Sequence, residues 1–440
     1  MAGSNLEMNI TGGRIQGVAG AESVRIENFT NDNKTVTNYY FYSGAVQTLT
    51  PAAGEPIPSC PYPGLAYFGP EDADLFFGRE EAVTRLAEAV KRHSFTALLG
   101  ASGSGKSSVV LAGLAPNLDR SGNWRVSYFR IGTELDHEPF LALARALVPL
   151  LDETDSAVKR LEFTKELSTS LRAGKLTLRD VFADCRSRNK AKRILLIADQ
   201  FEEVFTLVTT DLLRQQFIDV LLSGFSDPAP SAVPEISLIL TLRADFSDQA
   251  LLHGLTSALQ DHVVYLGPMK REDVRQAIVR PADNAKVAFD PGLVETLLDA
   301  VEDRPGSLPL LQFALREMWA RQENRTLTRK SYDAIGGVEG ALAKRAETIF
   351  AALTKNGADA QKVRAFQRLF TRLVTPGQGQ VDTRRVVERQ ELGQDAWSLA
   401  QDLAGENNRL VVTNAPVAAH ETAEVVHEPS SVIGLRWSNG

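Results

Sequence analysis

The sequence predicts an α/β protein whose central domain is a parallel β-sheet with helices on both faces. Three observations lead to this fold class. Between residues 64 and 266, short apolar segments alternate with longer segments of helical periodicity, the pattern of a parallel sheet. One apolar segment runs directly into a glycine-rich loop of the phosphate-binding type. Beyond residue 266, helical periodicity dominates, and a short pair of β-prone segments appears only near the end.

The composition is that of an ordinary folded protein. At roughly 100–200 residues per domain, 440 residues correspond to two to four domains. Hydrophobic residues make up 43% of the chain and charged residues 23%, which argues against global disorder. The 48 basic and 55 acidic side chains leave a net charge of -7. Proteins that hold nucleic-acid backbones usually carry the opposite balance, so we expect no nucleic-acid partner.

We expect a cytoplasmic protein without a membrane partner. Two cysteines, Cys60 and Cys185, are too few for a disulfide framework or a four-thiolate metal site, and they suit a reducing compartment. The first ten residues lack the basic and apolar regions of a secretory signal. The longest apolar segments, 194–198 and 236–242, are far shorter than the roughly 18 residues of a membrane-spanning helix.

A short β-rich segment is predicted over residues 1–47. Two β-prone runs, 23–29 and 34–41, flank a turn rich in Asn and Asp. A hairpin of this size cannot bury a core alone, so it is either an oligomerisation or recruitment element or an unstructured leader. Closely spaced prolines then indicate a linker over residues 48–63.

Three domains are predicted after the linker. The sheet domain spans residues 64–266, with strands at 95–99, 126–130, 194–199 and 236–242. A helical domain spans residues 267–350, with helices at 271–279, 291–302 and 308–321. The last domain, 351–440, combines helices at 360–373 and 394–404 with β-prone runs at 409–413 and 424–427. Helices followed by a small hairpin suggest a winged-helix domain.

The glycine-rich loop carries the strongest functional signal. Its sequence, which matches GxxxxGK[ST], is Gly100, Ala101, Ser102, Gly103, Ser104, Gly105, Lys106 and Ser107. In such a P-loop the glycines let backbone N–H groups point at a phosphate, and the helix that follows favours an anion at its start. Lys106 would supply a positive charge to the β- and γ-phosphate oxygens, and the Ser107 hydroxyl would bind Mg²⁺. We extend the nucleotide-binding set to Ser108.

A P-loop needs a second carboxylate to position Mg²⁺ and water. Asp199 ends the apolar segment 194–199 and would lie beside the loop as the second metal ligand. Glu202 and Glu203 follow within one turn, and we prefer Glu202 as the general base, although acids also suit a solvated helix start. Arg243 ends another strand and would sense the γ-phosphate or bridge to the helical domain; the alternative is a surface ion pair with Asp245.

Taken together, the motifs resemble those of the STAND-class signalling ATPases, specifically the bacterial novel STAND NTPase family. Besides the P-loop, the resemblance rests on residues 62–65 with 71–80, 199–203, 241–246 and 306–311, in the family's order and spacing. It implies that Phe77, Gly78 and Arg79 line the adenine and ribose side, and that Pro309 packs against the base. By residue type alone, these positions also suit plain helix starts. The resemblance further implies that His427 contacts bound ADP; a lone histidine beside an apolar strand is more often structural.

The resemblance implies an ATP-dependent molecular switch with ATP/ADP and Mg²⁺ as cofactors. ADP would hold the domains closed, whereas ATP would open them and favour self-association, coupling a sensed signal to effector or sensor partners in bacterial stress or anti-phage signalling. Slow hydrolysis would reset the switch. Two alternatives are a metabolic P-loop phosphotransferase and a DNA-binding regulator that uses the winged helix. The second would rely on Arg384, Arg385 and Arg389, which are interleaved with acids.

Overall fold

The computed structural model describes two units, Met1–Glu55 and Pro56–Gly440. The residues described are 9–10, 13–14, 23–31, 34–42, 58–133, 138–151, 156–188, 193–225, 234–260, 262–302, 306–354, 359–375, 383–384, 387–404, 411–414 and 422–425. The first unit contains two antiparallel strand pairs: β1 (Asn9–Ile10) with β2 (Gly13–Arg14), and β3 (Ser23–Asn31) with β4 (Lys34–Tyr42). The longer pair lies where the sequence predicts a hairpin.

The second unit is built on a five-stranded parallel sheet, as predicted. Its strands are β5 (Phe95–Gly100), β6 (Trp124–Phe129), β7 (Arg193–Ala198), β8 (Ile236–Arg243) and β9 (Val263–Leu266). Their order is β6-β7-β8-β5-β9, so β5 is flanked by β8 and β9. Strand β9 is absent from the sequence prediction because it has only four residues, of which only Leu266 is fully buried.

Helices cover both faces of this sheet. The α-helices of this half are α1 (Glu80–Arg92), α2 (Lys106–Ser108), α3 (Ala115–Asp119), α4 (Pro139–Leu151), α5 (Ala157–Arg172), α6 (Leu178–Arg188), α7 (Glu203–Thr206), α8 (Asp211–Ser223), α9 (Ser247–Ala250) and α10 (Thr256–Leu259). A π-helical turn, Val109–Leu114, joins α2 to α3. Helices α4, α5, α6 and α8 pack on one face, and α1 with the helix after the P-loop packs on the other. Burial on both faces explains why the three middle strands, β7, β8 and β5, are nearly continuous apolar runs.

The second half of the unit is mainly helical. Its helices are α11 (Arg271–Asn284), α12 (Leu293–Val301), α13 (Ser307–Trp319), α14 (Arg329–Ile335), α15 (Gly337–Leu353), α16 (Ala360–Leu373) and α17 (Arg389–Ala404). Its short strands are β10 (Ala288–Phe289), β11 (Thr326–Leu327), β12 (Val374–Thr375), β13 (Thr383–Arg384), β14 (Val387–Glu388), β15 (Val411–Asn414) and β16 (Thr422–Val425). All the long helices contribute to one hydrophobic core. The antiparallel sheet β14-β16-β15 packs beside α17; the winged-helix assignment stays a prediction.

Residues 58–68, which precede α1, connect the sheet half of this unit to its helical half. We call this segment the strap. Tyr62 is only 1% exposed and belongs to the core of the helical half. Its hydroxyl donates to the Ile278 carbonyl at 2.5 Å, and its ring packs edge-on against Trp319. At the other end of the strap, the Phe68 N–H donates to Ser108 Oγ at 3.1 Å. The strap therefore spans from the helical core to the helix that follows the P-loop.

Across the described ranges, no helix combines the length and apolarity needed to cross a membrane.

Candidate functional site

The P-loop lies at the carboxyl end of β5. Strand β5 ends at Gly100, and α2 begins at Lys106. Gly103 and Gly105 have φ angles of +69° and +89° in the left-handed region, where a side chain would be strained. An added Cβ at Gly105 would meet no atom within 4 Å, so the backbone conformation, not the space around it, favours glycine there. This turn places the start of a helix against the site, as the sequence predicts.

Lys106 is folded back onto its own loop. The side chain is buried, and Nζ donates to the Gly100 carbonyl at 3.0 Å and to the Ala101 carbonyl at 2.9 Å. Burial lowers the pKa of Lys106, while the negative charge of Glu202 acts in the opposite direction. A buried ammonium that is held only by neutral carbonyls is well suited to an anionic partner.

Ser107 and Asp199 meet although 92 residues separate them in the chain. Ser107 Oγ donates to Asp199 Oδ1 at 2.9 Å, and Asp199 is only 4% exposed. A hydroxyl and a carboxylate are hard oxygen ligands, and Mg²⁺ commonly uses one or two carboxylates together with substrate phosphates. These two residues therefore fit a Mg²⁺ ion that a phosphate ligand completes. Among the described residues, no cluster of three or more His, Cys, Asp or Glu side chains could hold a metal alone.

Thr241 is a site residue to which the sequence analysis assigned no role. Its hydroxyl donates to Asp199 Oδ1 at 2.7 Å and accepts from the Gln200 N–H at 2.8 Å. Thr241 is fully buried on β8, between the P-loop strand and the strand of Asp199. The sequence did contain a signal for Thr241, because this hydroxyl residue interrupts the apolar run of β8 two residues before the strand ends. Thr241 holds the carboxylate of Asp199 in position.

The two acids after Asp199 have different surroundings. Glu203 accepts from Arg130 Nε at 2.7 Å and Nη2 at 2.6 Å, and from the Gly132 N–H at 2.7 Å. Glu202 accepts from the backbone N–H of Arg243 at 3.3 Å. Burial raises the pKa of both glutamates, while the positive charge of Lys106 lowers that of Glu202 and Arg130 lowers that of Glu203. Arg130, at the end of β6, is a second residue that sequence reasoning missed.

The Arg243 side chain forms an ion pair with Asp245, the arrangement given above as the alternative to a role at the γ-phosphate. Its Nε and Nη2 donate to the two carboxylate oxygens of Asp245 at 3.0 and 2.6 Å. The guanidinium also lies 5.4 Å from the centre of the Phe246 ring. Contact with a γ-phosphate stays a prediction.

Residues 77–79 lie between the P-loop and α11. Arg79 Nη2 donates to the Ser104 carbonyl at 2.8 Å, and burial lowers the pKa of Arg79 to about 10. Gly78 has a φ of +83°, and a Cβ there would overlap the Asp273 carbonyl oxygen. Phe77 packs under the Arg280 guanidinium at 4.9 Å. The structure thus places these residues beside the loop, while their contact with adenine and ribose stays a prediction.

The remaining predicted residues divide into three groups. A Cβ at Gly103 would lie 3.3 Å from Pro309 Cγ, so Pro309 is beside the P-loop. The Ser108 hydroxyl already accepts from the strap, whereas Ser104 Oγ is buried without a hydrogen-bond partner in the described part of the chain. A buried, unpartnered hydroxyl inside the loop fits a phosphate-bearing ligand. His427 lies outside the described residues.

Several solved structures resemble the chain at low identity. The ORC1 protein of Aeropyrum pernix, solved in complex with DNA, is 14% identical with a TM-score of 0.44, over 84% of this chain and 94% of that one. A Walker-type ATPase of Pyrococcus abyssi is 16% identical with a TM-score of 0.41, over 84% and 97%. The ADP form of the Aeropyrum pernix ORC2 protein is 12% identical with a TM-score of 0.37, over 82% and 94%. No curated protein sequence matches the chain significantly.

The family comparison covers most of the chain. The sequence matches the family described as Novel STAND NTPase 1 over residues 61–431. The matched range includes the strap from Pro61 onward, the P-loop, the pair formed by Ser107 and Asp199, and the helical half. This finding confirms the resemblance inferred from the motifs. The chain therefore belongs to the Novel STAND NTPase 1 family of P-loop NTPases.

Proposed function

We propose that the protein is a STAND-type molecular switch that binds ATP and ADP with Mg²⁺ and hydrolyses ATP slowly. The observation that carries this proposal is the hydrogen bond of 2.9 Å between Ser107 and Asp199 beside the buried Lys106. A hydroxyl and a carboxylate that would suit Mg²⁺ thus lie beside a lysine that would suit a phosphate. Membership of a STAND NTPase family supports the choice of switch over phosphotransferase.

The residues have distinct tasks in this mechanism. Lys106 would exchange its two loop carbonyls for the β- and γ-phosphate oxygens, while Ser107 and Asp199 would hold Mg²⁺. When bound, Mg²⁺ would supply positive charge to the phosphate oxygens. Glu202 would accept a proton from the attacking water, because Glu203 is committed to Arg130 and Gly132. Arg79, beside the Ser104 carbonyl, would define the nucleoside end together with Phe77 and Gly78.

The switch itself would couple the nucleotide to the helical half. Pro309 at the start of α13 lies next to Gly103, and the strap ties the helical core to Ser108. In our proposal ADP keeps these halves closed, with His427 contacting its phosphates, and ATP opens them for self-association with effector or sensor partners. The proposed setting is bacterial stress or anti-phage signalling, and its support is family membership.

The nucleotide carried by the purified protein tests this proposal. After denaturation, chromatography of the released small molecules should yield ADP close to one per chain. The Lys106→Ala variant should carry none, because it loses the loop's lysine. Lys91→Ala, which removes an exposed lysine from α1, is the matched control and should carry as much ADP as the unmodified protein. Release of a guanine nucleotide would overturn the proposal, and so would an equal amount of bound ADP in Lys106→Ala and in the unmodified protein.

A further inference from the structure

A pocket separate from the P-loop opens at the amino ends of β5 and β9. Its volume is about 240 Å³, and it lies between the second half of α1 and the first residues of β5 and β9. The lining residues are Arg85, Glu88, Ala89, Arg92, His93, Thr96, His262, Val263 and Val264. Thr96 is the second residue of β5 and Gly100 is the last, so about 13 Å of strand, at 3.3 Å per residue, lies between this pocket and the P-loop. The pocket is therefore distinct from the nucleotide site.

The charge of the pocket comes from α1. Arg85 and Arg92 are seven residues apart and thus share one face of the helix, with Glu88 between them. Neither arginine has an ion-pair partner within 4 Å in the ranges that the structure describes, although Glu88 is one turn from both. These three side chains leave one net positive charge, and both guanidinium groups can still bind an anion.

The wall opposite α1 supplies hydrogen-bond donors. The imidazole rings of His93 and His262 lie 4.6 Å apart, and the His93 ring carries at least one N–H donor. Behind them, Thr96 is only 1% exposed, and its hydroxyl has no hydrogen-bond partner among the described residues. A buried hydroxyl without a partner is unfavourable, and a ligand or an ordered water in the pocket would satisfy it.

We propose that this pocket binds a small anion with one phosphoryl group, either inorganic phosphate or a small phosphomonoester. Arginine forks match the tetrahedral oxygens of a phosphoryl group, and the His93 imidazole adds a donor on the other side. The volume is below the range of about 300–1,000 Å³ that is typical of pockets for drug-sized ligands. The small volume favours a small ligand over a second nucleotide, and the negative charge of Glu88 disfavours polyphosphates. The ligand would contact α1, whose N-cap residue Arg79 binds the P-loop.

Nuclear magnetic resonance of the histidine rings tests the proposal. The chain has six histidines, and His93→Gln and His262→Gln assign the two signals of the pocket. The full chain is saturated with Mg²⁺ and ADP to fill the P-loop and is then titrated with inorganic phosphate, glycerol 2-phosphate or acetate at constant ionic strength. We expect saturable shifts of the His93 and His262 signals with either phosphoryl compound, and at least about threefold weaker binding of acetate.

Variants separate a binding site from a general salt effect. Arg92→Gln should weaken phosphate binding by about threefold to fivefold, the scale of one exposed charged contact, whereas Lys91→Gln on the same helix should not. Thr96→Val should weaken binding and Thr96→Ser should retain it. Linear shifts without saturation, equal movement of all six histidines, equal affinity for acetate, or the same affinity in Arg92→Gln and Lys91→Gln would each overturn the proposal. Because the readout is local to the pocket, it does not depend on ATP hydrolysis.

Discussion

At the scale of single residues, Glu202 and Glu203 show how neighbouring acids acquire different tasks. Three donors hold the Glu203 carboxylate, two from Arg130 and one from the Gly132 backbone. Glu202 receives one long hydrogen bond from the Arg243 N–H and lies within electrostatic range of Lys106. A general base must be able to accept a proton in the transition state, and a carboxylate already engaged by a guanidinium does so poorly.

Glu202→Gln should therefore slow hydrolysis by about a hundredfold or more while preserving ATP binding. Glu203→Gln, the matched control, should act on stability instead. It replaces a buried ion pair by a weaker hydrogen bond and should lower the free energy of unfolding by about 1–3 kcal/mol. Single-turnover hydrolysis and urea unfolding of both variants check this. Slow hydrolysis in Glu203→Gln together with normal hydrolysis in Glu202→Gln would assign the general base to Glu203 instead.

The pH dependence of hydrolysis gives an independent test of Glu202. Burial raises the pKa of Glu202, against the opposing charge of Lys106. Because the base acts in its deprotonated form, the rate should rise with pH through a pKa above the ordinary glutamate value of about 4.3. Glu202→Gln should lose this acid limb, whereas Glu203→Gln should keep it. An unchanged limb in Glu202→Gln would assign the titration to another group.

Thr241 should act on the metal site through Asp199. Thr241→Val removes the donor to Asp199 Oδ1 and the acceptor for the Gln200 N–H, while it keeps the shape of the side chain. At about 1.5–3 kcal/mol for a hydrogen bond to a charged group, we expect at least a tenfold higher Mg²⁺ concentration for half-maximal ATP binding. Thr241→Ser should behave like the unmodified protein. Calorimetric titration at varied Mg²⁺ measures this, and equal Mg²⁺ dependence in Thr241→Val would contradict the positioning role.

At the scale of elements, the strap links two parts that belong to different hydrophobic cores. Trp319 Nε1 donates to the Pro58 carbonyl at 3.0 Å, and Arg316 Nη1 donates to the Pro63 carbonyl at 3.1 Å. Tyr62 fills the space beside Trp319, and Phe68 packs against Phe76 near the helix after the P-loop. A segment with both ends anchored in this way restricts how far the two halves can separate.

Graded substitutions of Tyr62 should show the strength of this anchor. Tyr62→Phe loses only the hydrogen bond to the Ile278 carbonyl and should cost about 0.5–1.5 kcal/mol of unfolding free energy. Tyr62→Ala also empties a buried aromatic site and should cost about 3–5 kcal/mol. Tyr67→Ala, at an exposed position of the same segment, is the control and should cost far less. Thermal and urea unfolding decide this, and equal losses for Tyr62→Ala and Tyr67→Ala would show that the strap is not anchored.

At the scale of the whole molecule, the proposed switch predicts that the nucleotide decides the oligomeric state. Light scattering should give a single chain with ADP and larger assemblies with a non-hydrolysable ATP analogue. If His427 contacts ADP, then His427→Ala should speed ADP release about tenfold or more, since one charge-assisted hydrogen bond is worth about 1.5–3 kcal/mol. The same variant should self-associate more readily with ATP. Stopped-flow release of fluorescent ADP tests the contact, and identical off-rates for the variant and the unmodified protein would contradict it.

Local patterns in the sequence were sufficient for the fold class and the centre of the site. Four of the five sheet strands were predicted, and three of them, β5, β7 and β8, are apolar runs buried on both faces, which can be recognised without neighbours. The P-loop combines a glycine turn, a lysine and a hydroxyl within eight residues, so its chemistry is also local. Asp199 was predicted because it ends such a strand. In each case the information lies within a few neighbouring residues.

Only the tertiary structure decided which distant residues complete the site. The strand order places β8 between β7 and β5, and for that reason Thr241 reaches Asp199 from 42 residues away. Arg130 reaches Glu203 because β6 and β7 are neighbours, and Tyr62 reaches Ile278 across 216 residues because the strap crosses to the helical half. Periodicity determines which side of a strand or helix is buried, but strand order and packing between halves depend on the burial of the whole chain at once. The sequence therefore determined the elements and the central chemistry, and the assembled fold decided the supporting contacts.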